Sequence, residues 1–180
     1  MKWLAGLLLA ADLSLPGLRV HKDFVEATGQ VATTNGILEF IAVEKGGRDY
    51  ESLFTLDCRP SALKFALLLI GCETNDAVSI EVDRMPMERL LIDRRTKKPP
   101  IKLDWIFTGS YFKRSVLDGK EVFMADEEQA FIALWWEDTV LLNVKGNFGN
   151  PYQGEQQGFE ANTKAMPTNG TPVKLIFRKR

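Results

Sequence analysis

Apolar and polar positions alternate with a period of two along most of this chain, in short runs separated by turn residues. Residues 20–31 alternate with a break at Gly29, and Asn35-Gly36 is a tight-turn signal between apolar runs. Residues 37–43 form an apolar run interrupted by Glu39. Gly46-Gly47 marks the next turn, and Leu53-Phe54-Thr55-Leu56 reads as the return strand of a hairpin. Further strands are predicted over 78–82, 104–108, 130–135, 139–144 and 172–178. Val122-Phe123-Met124-Ala125 flanks an acidic turn, Asp126-Glu127-Glu128.

One segment breaks the pattern. Pro60 suits a first helical position, residues 62–70 carry a single charge at Lys64, and Gly71 stands where a left-handed cap is needed. A helix this apolar is expected to be covered on most sides. Many strands and one confident helix predict an α+β fold. Its sheet would be mainly antiparallel, sandwich-like or a half-barrel, packed on one central apolar helix around residues 60–71.

Length and charge narrow the picture modestly. A chain of 180 residues with 45% apolar and 26% charged residues is expected to form one domain with a sizeable core. The net charge of -1 does not point to nucleic acid, and the basic run at 84–102 is broken by Asp83, Glu88 and Asp93 and reads as a solvated surface loop. Cys58 and Cys72 lie near opposite ends of the predicted helix, roughly 18 Å apart, beyond disulfide reach. Two free, mostly buried thiols are expected. They have no paired Cys/His spacing for zinc, so no metal or other cofactor is expected.

The first residues, Met1-Lys2-Trp3-Leu4-Ala5-Gly6-Leu7-Leu8-Leu9-Ala10-Ala11, combine a positive start, a short apolar stretch and small residues at its end. That is the pattern of a secretory signal peptide over 1–11, too short to span a bilayer as a helix. Leu9 is a poor match to the small-residue rule for a cut after Ala11. The reading is a single domain over 12–180, secreted or periplasmic, with no transmembrane segment after signal removal. The alternative is a cytoplasmic protein whose N-terminus is a buried strand or helix. Asn169-Gly170-Thr171 is a formal glycosylation sequon.

Several motifs together resemble the YdjY-like family, a group of uncharacterised bacterial proteins. They are Gly36-Ile37-Leu38-Glu39-Phe40, Tyr50-Glu51-Ser52-Leu53, Pro60-Ser61-Ala62-Leu63, Ala66-Leu67-Leu68-Leu69-Ile70-Gly71, Trp105-Ile106-Phe107-Thr108-Gly109-Ser110 and Ala125-Asp126. The resemblance spans roughly residue 20 to the C-terminus and is strongest in the middle. It implies no established activity, and it implies export. Some members are described as iron–sulfur or ferredoxin-type proteins. With two cysteines this chain lacks the four thiolates of an ordinary cluster, so that description does not transfer.

Candidate chemistry centres on two acids. Alternation groups Glu39 with Ile37, Ile41 and Val43; on a buried face its carboxyl must be paired or have a raised pKa. Glu51 lies between Tyr50 and an apolar strand. Two such carboxylates would serve as acid and base or hold a hard cation. A loop centred on Lys45 sets Glu39 opposite Glu51, whereas one centred near Gly46-Gly47 offsets them by roughly 10–13 Å. The polar run at 44–49 favours the longer loop, and structural pairing with Arg48 or Arg59 competes with a working dyad. Ser52 and Ser110 lack a nucleophile elbow, and the lone histidine, His21, sits at an exposed strand start. Trp135-Trp136, with Phe148 and Tyr152, would line an aromatic platform for a sugar, peptide or partner surface.

The expected function is therefore a ligand- or protein-binding module outside the cytoplasm, without a catalytic constellation. Its candidate site is Glu39, Tyr50, Glu51, Ser52, Trp105 and Ser110, with Trp135 and Trp136 as platform. The alternative is a carboxylate-dependent, metal-assisted hydrolase or lyase using Glu39 and Glu51, which requires them within about 5–9 Å in one cleft.

Overall fold

The structure, a computed structural model, describes residues 12–146, 148–152 and 157–180. In chain order its elements are β1 (Leu13–Leu15), β2 (Leu18–Val20), β3 (Val25–Val31), β4 (Ile37–Leu38), β5 (Phe40–Glu44), β6 (Ser52–Leu56), α1 (Pro60–Leu69), β7 (Ala77–Val82) and β8 (Met85–Pro86). There follow β9 (Leu91–Asp93), β10 (Asp104–Phe107), β11 (Phe112–Arg114), β12 (Glu121–Phe123), α2 (Met124–Glu128), β13 (Ala130–Ala133), β14 (Leu142–Lys145), β15 (Phe159–Ala161) and β16 (Pro172–Lys179).

The architecture is mostly β. Eight strands close into a mixed barrel in the order β3-β16-β7-β10-β14-β13-β5-β6, with β6 returning to β3. The expected sheet packed on a central helix is therefore corrected. The barrel's own alternating side chains fill its interior. β7, β10 and β16 each bury every second residue, including Ile80, Trp105, Phe107, Leu175 and Phe177. Helix α1 buries only Pro60, Leu63, Ala66 and Leu67, leaving Phe65 and Leu68 exposed. Its apolar composition marked it as enclosed, but composition does not say how many faces are covered.

Closure depends on β3. On one edge it pairs throughout with β16. On the other its first half pairs with β2 and its second half with β6. Gly29 stands where the partner changes. A Cβ there would meet the Thr55 carbonyl oxygen at 2.1 Å, so only glycine lets the two backbones approach this closely.

The expected hairpin over 37–56 is also corrected. β5 and β6 are parallel neighbours, with Phe40 opposite Ser52 and Glu44 opposite Leu56. Residues 45–51, ending in a 3-10 turn at Asp49–Glu51, carry the chain back along the outside of the barrel. A five-residue strand is about 16 Å long, and seven linking residues reach farther, so this crossover needs no helix. Under it lies a second small core of Phe40, Val43, Ala130, Ala133 and Val140, which explains why β5 and β13 are apolar on both faces. The Asn35-Gly36 turn forms, with Gly36 at φ +85, but its flanks part: β4 pairs with β15 while β3 pairs with β16 and β6. The acidic residues 126–128 belong to α2 rather than a hairpin turn.

A small sheet, β4-β15-β9, lies at the barrel end from which β5 and β6 start. Helices α1 and α2 lie at the other end, after β6 and before β13. Both cysteines are free and buried, and burial pushes the thiols up to about 12 for Cys58 and about 11 for Cys72. The expected signal segment at 1–11 lies outside the described residues. Among those described, no helix is long and apolar enough to cross a membrane.

Gly29→Ala is expected to lower stability by more than about 2 kcal/mol, because the methyl group must displace strand backbone. Gly36→Ala, at positive φ in open space, should cost roughly 1 kcal/mol. Urea unfolding midpoints of the two variants test this ordering.

Candidate functional site

The parallel register brings the two acids together. Glu39 sits in the break between β4 and β5, and Glu51 ends the 3-10 turn just before β6. The Glu39 backbone N–H donates to the Glu51 carbonyl at 2.9 Å, and the Leu134 N–H donates to the Glu39 carbonyl at 2.8 Å. The side chains are 12% and 10% exposed, and both carboxyl groups face the same guanidinium, that of Arg48. Strict alternation fails here. The strand breaks at Glu39, and Ile41 and Val43 then point into different cores.

Arg48, delivered by the crossover, spans the pair. Its Nη1 is 3.5 Å from Glu39 Oε2, its Nε is 3.8 Å from Glu51 Oε1, and its Nη2 is 3.3 Å from Glu128 Oε2. The guanidinium also lies 4.3 Å from the centre of the Phe40 ring, a cation–π contact that fixes its plane. On the outer side the Tyr152 hydroxyl donates to Glu51 Oε2 at 3.2 Å. The segment bearing Tyr152 is held by Phe148, whose ring is 5.0 Å from that of Phe159, and by buried Pro151.

Electrostatics follow from this crowding. Burial, followed by the charge of Glu51, pushes the Glu39 carboxyl above its ordinary range; Arg48 pulls it down without cancelling the rise, and Glu137 adds to it. Burial and the Glu51 charge likewise push the Tyr152 hydroxyl up. Glu137 is held in place by Asn143, which is fully buried. The Glu137 N–H donates to Asn143 Oδ1 at 2.7 Å, and Asn143 Nδ2 donates to the Glu137 carbonyl and to Thr108 Oγ1, each at 2.9 Å. Among the described residues no group of three or more His, Cys, Asp and Glu side chains is arranged to hold a metal.

The other expected site residues divide. Tyr50 stands beside Glu51 and is 70% exposed. Ser52 is fully buried, and its hydroxyl donates to the Arg48 carbonyl at 2.7 Å, so it anchors the crossover. Trp105 belongs to the barrel core, away from the pair, and its indole N–H finds no partner among the described residues. Ser110 lies at the helix end of the barrel. Its hydroxyl donates to the Thr139 carbonyl at 2.7 Å and accepts from the Ala125 N–H at 3.1 Å, so it ties the Thr139 loop to the first turn of α2. Trp136 is 55% exposed at the Glu39 end, beyond Leu134, while Trp135 is half-buried, its indole N–H buried and unpartnered among the described residues. Phe148 is absorbed into packing, whereas Tyr152 is 60% exposed. Glu128, Glu137 and Asn143 are additional participants. The acidic composition of 126–128 was the one sequence signal for any of them.

Glu39's carboxyl is raised in the folded state, so the folded chain holds more protons than the unfolded chain above the ordinary carboxylate value of 4.5. Its contribution to stability is therefore present below that value and is lost as pH rises through the folded pKa. Glu39→Gln, which can donate to Glu51 without charge, is expected to remove that decline. It should stabilise the protein near pH 7 by roughly 1 kcal/mol. Unfolding curves between pH 4 and 8 read both effects. Compared with protein-family models, curated proteins and solved structures, the chain matches none.

Proposed function

We propose that the protein is a non-enzymatic binding module, working outside the cytoplasm, whose ligand lies across the aromatic side chains at the Glu39–Glu51 end of the barrel. The observation that carries this reading is the exposure there of Tyr50, Trp136 and Tyr152, at 70%, 55% and 60%. Large aromatic rings left in water around one barrel end offer flat apolar faces, with hydroxyl and carboxyl groups between them. A carbohydrate chain, with apolar ring faces and many hydroxyl donors, fits that chemistry. The carboxyl pair itself is occupied from within by Arg48 and Tyr152. Its part in this reading is to hold the Tyr152 segment in place. The compartment rests on the charged-then-apolar start of the chain and on the export that the YdjY-like resemblance implies.

Screening against a panel of immobilised oligosaccharides tests the reading. A saturable binder is expected whose affinity falls at least tenfold in Trp136→Ala and stays within about threefold in the double variant Glu39→Gln, Glu51→Gln. A binder indifferent to Trp136, or a panel without one, defeats it. Mass spectrometry of the protein from its native host is expected to show an N-terminus near Asp12; an intact Met1 would defeat the cleaved-signal part of the reading.

The two half-enclosed carboxyls beside one Arg48 guanidinium support a second reading, an acid–base hydrolase or lyase with Glu39 as proton donor and Glu51 as base. Turnover of any panel sugar that the double glutamine variant abolishes would favour this reading over the first.

A further inference from the structure

At the opposite end of the parallel pair, where β5 and β6 finish, lies a cleft of about 660 Å³. Leu56, Cys58 and Ala62, with Pro16 from the β1–β2 turn, form its apolar wall, and the charged residues Glu44 (the last of β5), Lys45, Asp57 and Arg59 share the lining. The cleft lies against the first turn of α1, whose exposed amide is already taken: Ser61 N–H donates to Asp126 Oδ1 at 2.8 Å. Arg59 is held by the same carboxylate at 3.1 Å.

Glu44 is the unsettled group. Its carboxylate accepts no hydrogen bond and forms no ion pair within 4 Å among the described residues, although it is half-buried. Burial pushes its carboxyl up, and the charge of Arg59 only partly offsets this. A half-buried carboxylate without a partner is costly. A pocket of this size that combines an apolar wall with a few placed polar groups is the usual form of a small-molecule site, and here Arg59 is already taken by Asp126 while Glu44 is not paired.

We propose that this cleft binds a small organic amine, its apolar body against Leu56, Cys58 and Ala62 and its ammonium group on Glu44. The ammonium supplies the donors that Glu44 lacks, and the hydrocarbon body dries the carboxylate and strengthens the charge pair. The site is distinct from the aromatic rim at the other barrel end and stands or falls independently of it.

The test uses a set of probes: butylamine, hexylamine and 2-phenylethylamine, with 2-phenylethanol and 3-phenylpropionate as neutral and anionic counterparts. Backbone amide spectra of the full chain are titrated with each. At least one amine is expected to shift Leu56, Cys58 and Ala62 saturably, the alcohol more weakly and the acid not at all. Glu44→Gln should reduce amine affinity at least tenfold, to the level of the alcohol. Ala62→Phe, which fills the cleft without touching the charge, should abolish binding of all probes while the remaining spectrum shows the native fold. Three results would each overturn the proposal: no amine shifting these residues, equal affinity in Glu44→Gln, or tighter binding of 3-phenylpropionate than of the amines.

Discussion

The pairing of β3 with β6 is the contact on which the rest of the structure depends. Without it the eight strands are an open sheet with two raw edges. With it they enclose a core and have none to leave unpaired. The geometry rests on a glycine, because the Gly29 and Thr55 backbones are too close for any side chain between them. Closure also creates the distinction between the two ends of the barrel. One receives the small sheet β4-β15-β9 and the Tyr152 segment; the other receives α1 and α2.

Parallel pairing of β5 and β6 is the second constraint. An antiparallel hairpin sets the start of one strand beside the end of the other. A parallel pair sets both starts together, so Glu39 and Glu51 become neighbours in space although a whole strand and a crossover separate them in sequence. The crossover also supplies the cation that makes the arrangement tolerable. Arg48 meets Glu39 and Glu51 on one side and Glu128 of α2 on the other. Two carboxyls this close and this enclosed would otherwise repel strongly; with Arg48 above them, the remaining cost appears as a raised Glu39 carboxyl.

Much of this was legible in the chain, and the limits have physical causes. Period-two alternation located β7, β10 and β16 because each has one wet face and one dry face. It misled at β5, where the crossover covers the outer face and the strand breaks at Glu39, so alternation no longer reports direction. Neighbour relations were not readable, since local pattern names strands but not their partners; the hairpin expectation for 37–56 failed on that account. The sequence locates α1 but overstates its coverage, because Phe65 and Leu68 are apolar yet exposed. Glu39 stood out as the polar residue of an apolar run, and Tyr50 and Glu51 with it. Trp105 and Ser110 stood out equally, but one fills the core and the other ties a loop to α2. Glu137 and Asn143 join the site through tertiary contacts that no local window contains.

β16 carries a consequence for how the molecule comes into being. It sits between β3 and β7, with Phe177 paired to Val25, so a strand far along the chain joins a sheet begun by one of the first. During synthesis the barrel has a missing stave until residue 177 is free, and its earlier strands must wait with open edges. Folding dominated by such distant pairings is slow.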